Sequence, residues 1–319
     1  MSYCKIPIFH RPFNTMAATL LILCCCAVPG TSADSPPLPP ASPPLTLEEL
    51  KNATYAGIDT TPIKLTRGLY EGSPYLPGGA SRQRIELLES QPVTGDLSGD
   101  GNNDSLVFLS EDDGGSGAFL YMAVMGRIQG KIVNIATVRL GDRISVRSIS
   151  VDKGQITLDL LLFGPKDLPC CPSDLVQRVW TLERAALVER VGKKRQGSLK
   201  PATLEGVEWL FRGVIPQLTE PDGAGGTLIL EKERISGSAG CNRFLGNATA
   251  AKVPGDINFK ATKITNRVCG GTVMAHEEEY LEALRHVVKF GYFLGDLTLS
   301  WRKKDGTLGI IRFAPRKTS

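Results

Sequence analysis

A single cysteine, Cys241, sits in the stretch ISGSAGCNRFLGNAT, between a glycine-rich turn and an Asn-Arg-Phe run. It could be a nucleophile, a metal ligand or half of a disulfide, and that choice decides whether the segment can do catalysis. A cysteine nucleophile needs a base to take its proton. Beyond the first 40 residues the chain offers His276 and His286. Both fall on one expected helix, about 80° apart around its axis. A thiol hydrolase built on Cys241 and His286 is the enzymatic reading. No cysteine-protease signature surrounds Cys241. Zinc is disfavoured, because there is no C-x-x-C pair and His276-Glu277-Glu278-Glu279-Tyr280 lacks the second histidine of H-E-x-x-H.

A second cluster is VTGDLSGDGNND, in which Asp96, Ser98, Asp100, Asn102 and Asp104 alternate around Gly99 and Gly101. Oxygen ligands at every second residue, with glycine at the bend, are the pattern of a calcium loop. An EF-hand needs glutamate at the twelfth position, and Val107 stands there. The flanks read as strands, so the pattern is closer to the Asp-rich loops of FG-GAP-type repeats. The same residues also make turns without metal. Calcium is the one cofactor this sequence suggests.

The first residues bear on the cysteine chemistry. Lys5 and Arg11 precede an apolar run, Met16–Val28, and the small residues Thr31, Ser32 and Ala33 follow. That is the layout of a secretory signal peptide, residues 1–33, with an apolar core shorter than the ~20 residues a membrane span needs. Cys24, Cys25 and Cys26 raise the alternative of a lipoprotein signal, although no small residue precedes the first of them. Both routes lead out of the cytoplasm, to a periplasm or cell envelope. Cleavage after Ala33 leaves four cysteines, Cys170, Cys171, Cys241 and Cys269. In an oxidising compartment an even count means disulfides. Cys241 and Cys269 share one expected domain and are the preferred pair. Cys170 and Cys171 are adjacent, and a bond between them is slightly preferred over other arrangements.

These residues must be positioned by two β-rich domains. A proline-rich spacer, 34–45, leads into a short helix over Leu45–Tyr55 and then short strands separated by Gly, Asp and Asn turns. Residues 46–188 read as one antiparallel β domain. RVGKKRQGSLK lacks an apolar period and reads as a basic linker, 189–202. Beyond it, residues 203–315 read as strands, one main helix near His276–Phe290 and a closing hairpin around Lys304-Asp305-Gly306. The expected class is α+β. The net charge of +4 is spread along the chain and does not argue for nucleic acid.

Trp209, ISGSAGCNRFLG, INFKATKIT, Cys269, EEEYLEALRHV and the pair LTLSW and LGIIRF resemble the META domain of the HslJ-like family. One departure is Val268 before the second cysteine, where a methionine neighbour is common. LTLEELKNATY, PGGASR, TGDLSGDG, GGSGAF, LGDR and PCCP are similar to LppP/LprE-like lipoproteins. These resemblances imply an envelope or stress-related role, no established catalytic residue and no named substrate. The expected protein is non-catalytic and exported, with an envelope protein or small ligand as partner. It would touch a membrane only through a lipid anchor. A calcium-dependent ligand-binding lipoprotein is the further alternative.

Overall fold

The computed structural model describes residues 43–90, 92–165, 167, 171–215 and 225–316. The signal peptide, the triple cysteine, most of the spacer and Cys170 lie outside the described residues. Residues 41–319 form one compact unit.

The first element among the described residues is helix α1 (Leu47–Lys51). Thr46 caps it: the Glu49 amide donates to the Thr46 hydroxyl, and the Thr46 amide donates back to the Glu49 carboxylate. Glu49 also accepts from Arg127 at 2.8 Å, and that bond first, with the Thr46 amide, holds its pKa down to about 2. Strands β1 (Thr54–Tyr55) and β2 (Ile63–Lys64) pair with each other. Then come β3 (Leu69–Glu71), β4 (Arg84–Leu87), β5 (Val93–Gly95), β6 (Asp104–Asp112), β7 (Ala118–Ile128) and β8 (Lys131–Asp142). They form one antiparallel sheet in the order β3-β4-β6-β7-β8, with β5 on β6. A four-stranded sheet follows in sequence order: β9 (Ser145–Asp152), β10 (Gln155–Leu162), β11 (Asp174–Glu183) and β12 (Ala186–Ser198).

The middle strands of the first sheet are apolar at consecutive positions because both faces are covered. On β6, Val107 and Leu109 join α1, Tyr55 and Leu65 in one core. Leu106 and Phe108 point the other way, to a core shared with Ile156, Leu158, Leu160 and Trp180 of the second sheet.

The remaining strands are β13 (Glu208–Ile215), β14 (Thr227–Glu231), β15 (Arg234–Ser238), β16 (Arg243–Ala250), β17 (Ile257–Ile264), β18 (Val287–Phe293), β19 (Asp296–Arg302) and β20 (Leu308–Pro315). They form an eight-stranded antiparallel sheet, in the order β17-β16-β15-β14-β13-β20-β19-β18. Its two edges meet at one end, where the Phe290 amide donates to the Gly255 carbonyl at 2.7 Å beside an Asp256–Lys289 bridge. The sheet is thus a nearly closed barrel. Helix α2 (Gly271–Arg285) contributes Tyr280, Leu281, Ala283 and Leu284 to its core.

Three expectations change. The fold is predominantly β, and the α+β label overstates the helical part. The main helix begins five residues earlier than His276 and ends at Arg285, with His286 as its C-cap. Val287 and Val288 lie on β18, where β-branched residues pack well on a pleated surface. The basic segment 189–202 is not a linker. Most of it is β12, paired along β11. Its charges are matched across the sheet, Glu189 with Arg178 at 2.7 Å and Arg195 with Asp174 at 2.7 Å. Leu199 and Leu204 that follow are buried in the barrel core with Leu161 and Leu175. In return Leu294 from the β18–β19 turn enters the core between the first two sheets. Arg147 of β9 strengthens this junction by donating to the Thr203 carbonyl at 3.1 Å, with the Tyr292 hydroxyl on the same oxygen.

Candidate functional site

The turn between β15 and β16 brings Cys241 to the mouth of the barrel. Gly240 has φ +107, a conformation that favours glycine, so the chain can reverse just before the cysteine. Gly237 allows a closer approach still: an added Cβ would collide with the Thr227 carbonyl oxygen and the Phe244 ring. Cys241 is bonded to Cys269, with their Cα atoms 6.1 Å apart. The bond ties the turn to the segment that runs from β17 into α2.

Asn242 and Glu277 complete this knot. Both are almost fully buried, at 3% and 4% exposure. One Glu277 oxygen accepts from the amides of Cys241 at 3.1 Å and Asn242 at 2.6 Å. The other accepts from the Asn242 side-chain amide at 2.7 Å. The Asn242 carbonyl oxygen in turn accepts from the Thr265 hydroxyl at 2.8 Å and the Arg267 amide at 2.7 Å. Its side-chain amide also donates to the Arg267 carbonyl at 3.1 Å. A turn, a loop and a helix, none of which can satisfy these groups alone, thus share one saturated network.

Beneath it the barrel is filled. Tyr280 lies between Phe211, Phe244 and Phe313, with ring centroids 5.0 to 6.0 Å away. Its hydroxyl donates to the Thr227 carbonyl at 3.0 Å, and burial pushes its pKa well above the usual phenol value.

The histidines are placed elsewhere. His276 is exposed on α2. His286 is half exposed at the far end of the helix, its Nδ1 2.9 Å from the Glu282 carbonyl. It lies nine residues beyond Glu277, roughly 13 Å along the axis. The structure does not bring it to Cys241. Cys171 is also disulfide-bonded. It is buried, and the Lys289 ammonium donates to its sulfur at 2.9 Å.

In the Asp-rich loop the carboxylates turn inward onto the chain. Asp96 accepts from the amides of Gly99 at 2.7 Å and of Asp100 and Gly101, each at 3.2 Å. Asp100 accepts from the Asn102 amide at 2.8 Å, which lowers its pKa. Asp104 is buried at 2% exposure and accepts from Leu97 at 3.0 Å and Ser98 at 2.7 Å, while burial pushes its carboxyl up. Among the described residues no three His, Cys, Asp or Glu side chains converge as metal ligands. Asp96 and Ser98 line an open cleft of about 680 Å³ against Asp152 and Lys153 of the β9–β10 turn. Because Asp96 satisfies three loop amides, Asp96→Ala is expected to lower stability by about 1–2 kcal/mol, the usual value of such a cap. Asp96→Asn, which keeps one acceptor oxygen, should lose less. Urea midpoints measured without calcium check this, and an unchanged Asp96→Ala midpoint contradicts it.

Sequence reasoning missed Glu277. The signal was present, because Glu277, Tyr280, Leu281 and Leu284 share the i, i+3, i+4, i+7 stripe. A carboxylate on an apolar stripe needs a partner.

Comparison with known proteins bears on this part of the chain. Residues 202–310 match the family model described as META domain. The C-terminal barrel is a META domain. The Cys241 turn, Asn242, Cys269 and α2 all lie within the matched residues. A solved structure, described as an NMR structure of the protein from Burkholderia xenovorans, is 18% identical, covering 41% of this chain and 100% of that chain, with a TM-score of 0.29. No curated protein matches the chain. No helix among the described residues is long and apolar enough to cross a membrane.

Proposed function

We propose that this is a non-catalytic exported protein of a bacterial envelope, acting in envelope maintenance or stress tolerance by binding a partner. The observation that carries this reading is the use of Cys241. Its sulfur is bonded to Cys269, and the polar groups beside it are consumed in holding the turn. The META domain then serves as a stapled scaffold. The signal-like N-terminus and the LppP/LprE-like motifs of residues 46–188 support export, with cleavage after Ala33 as the preferred route and acylation of a signal cysteine as the alternative. A stable Cys241–Cys269 bond fits an oxidising compartment.

The test is fractionation of producing cells, combined with alkylation of the folded, unreduced mature protein. The expected result is an envelope location, with position 241 alkylated only after reduction. A cytoplasmic location, with Cys241 alkylated while the protein is folded, overturns the reading and revives the thiol hydrolase.

A further inference from the structure

The outer face of β15–β17 carries charge that nothing in the fold uses. Cross-strand register puts Arg234, Asn247 and Lys260 in one row and Ser236, Leu245 and Lys263 in the next. Strand alternation sends Phe244, Ala248 and Phe259 into the barrel core. Arg243, Leu245, Lys260 and Lys263 are therefore left facing outward.

Arg234, Arg243, Lys260, Lys263 and Arg267 are all exposed. Among the described residues none of these five has an acidic partner within 4.0 Å. Two acids lie further along these rows: Glu231, opposite Arg234 at the turn, and Glu208 of β13, opposite Ile229 and paired with Arg316. Two large apolar side chains stand among the cations. Leu245 is 56% exposed in the middle of the face, and Val268 is 91% exposed in the loop that continues β17. That loop is fastened beside Arg243: the Thr265 amide donates to the Arg243 carbonyl at 3.0 Å, and the Arg243 amide donates to the Thr265 hydroxyl at 3.1 Å.

A soluble polyanion rewards the cations alone. A bilayer of anionic lipid rewards both classes, with phosphates for the cations and the headgroup boundary for the apolar side chains. We propose that this face docks on an anionic phospholipid surface. Leu245 and Val268 enter the headgroup layer, and Arg243, Lys260, Lys263 and Arg267 sit over the phosphates. The contact is additional to any lipid anchor at the N-terminus. It does not depend on the envelope reading, because it is tested on purified protein.

The test uses residues 41–319, which form one compact unit and omit the apolar stretch Met16–Val28. They are sedimented with vesicles of phosphatidylglycerol and phosphatidylcholine, or of phosphatidylcholine alone. Binding is expected only to the anionic vesicles and should fall as salt rises. With each cation worth roughly fivefold in partitioning, the double variant Arg243→Glu, Lys263→Glu should lose tenfold or more. The double variant Leu245→Ser, Val268→Ser should lose severalfold. Both change exposed side chains and should melt with the wild type. Equal partitioning to the two vesicle types overturns the proposal, as does unchanged binding by the charge-reversed variant. If Leu245→Ser, Val268→Ser binds vesicles like the wild type while heparin binds the wild type tightly, the face is a soluble-polyanion site instead.

Discussion

Replacing Glu277 with alanine is expected to destabilise the folded chain by about 3–5 kcal/mol. Three donors lose their acceptor together: the amides of Cys241 and Asn242 and the Asn242 side-chain amide. An unsatisfied buried donor costs about 1–3 kcal/mol, and Asn242 sits where water does not reach readily. The alanine also leaves a gap next to Tyr280 and Leu281 on the same helix face. Glu277→Gln keeps one oxygen but presents an amide to one set of donors, so its loss should be intermediate. Glu279→Ala, an exposed neighbour on the same helix, should stay within about 0.5 kcal/mol of wild type. Urea unfolding of the three variants orders them. Amide exchange at Cys241 and Asn242 should accelerate in Glu277→Ala well before exchange on β14. A Glu277→Ala midpoint equal to that of Glu279→Ala would falsify the account of the knot.

The sequence made parts of this site readable for definite reasons. Cys241 and Cys269 could be paired because the signal-like N-terminus led to the expectation of an oxidising compartment and the two cysteines share one domain. The β19–β20 hairpin was visible because Asp305-Gly306 is a strong local turn signal between apolar alternations. Gly306 has φ +85. What failed were features decided by distant parts of the chain. β12 looks like a linker because its charges hide its period, and they are matched by Arg178 and Asp174, which only the fold brings near. Val287 and Val288 extend the helical stripe of α2 by spacing. Pairing with β19 takes Val287 into a strand instead, and the tertiary partner overrides the local period. The Asp-rich loop is ambiguous for the opposite reason. Asp and Asn satisfy backbone amides and metals with the same oxygens, and the pattern alone does not separate the two uses.

Removing the Cys241–Cys269 bond, by Cys241→Ser with Cys269→Ser, is expected to cost about 3–4 kcal/mol. The two cysteines are 28 residues apart, and the chain-entropy model gives that value for a loop of this size. The more telling number is its coupling to Glu277. The disulfide holds the β15–β16 turn within reach of α2, and Glu277 grips the same turn through the amides beside the sulfur. Without the bond the turn spends less time under the carboxylate, so the carboxylate has less to lose when it is deleted. The triple variant should therefore be destabilised by at least 0.5 kcal/mol less than the sum of the two separate effects. Strict additivity in the double-mutant cycle would mean that sulfur and carboxylate act independently, and the single knot at the barrel mouth would have to be abandoned.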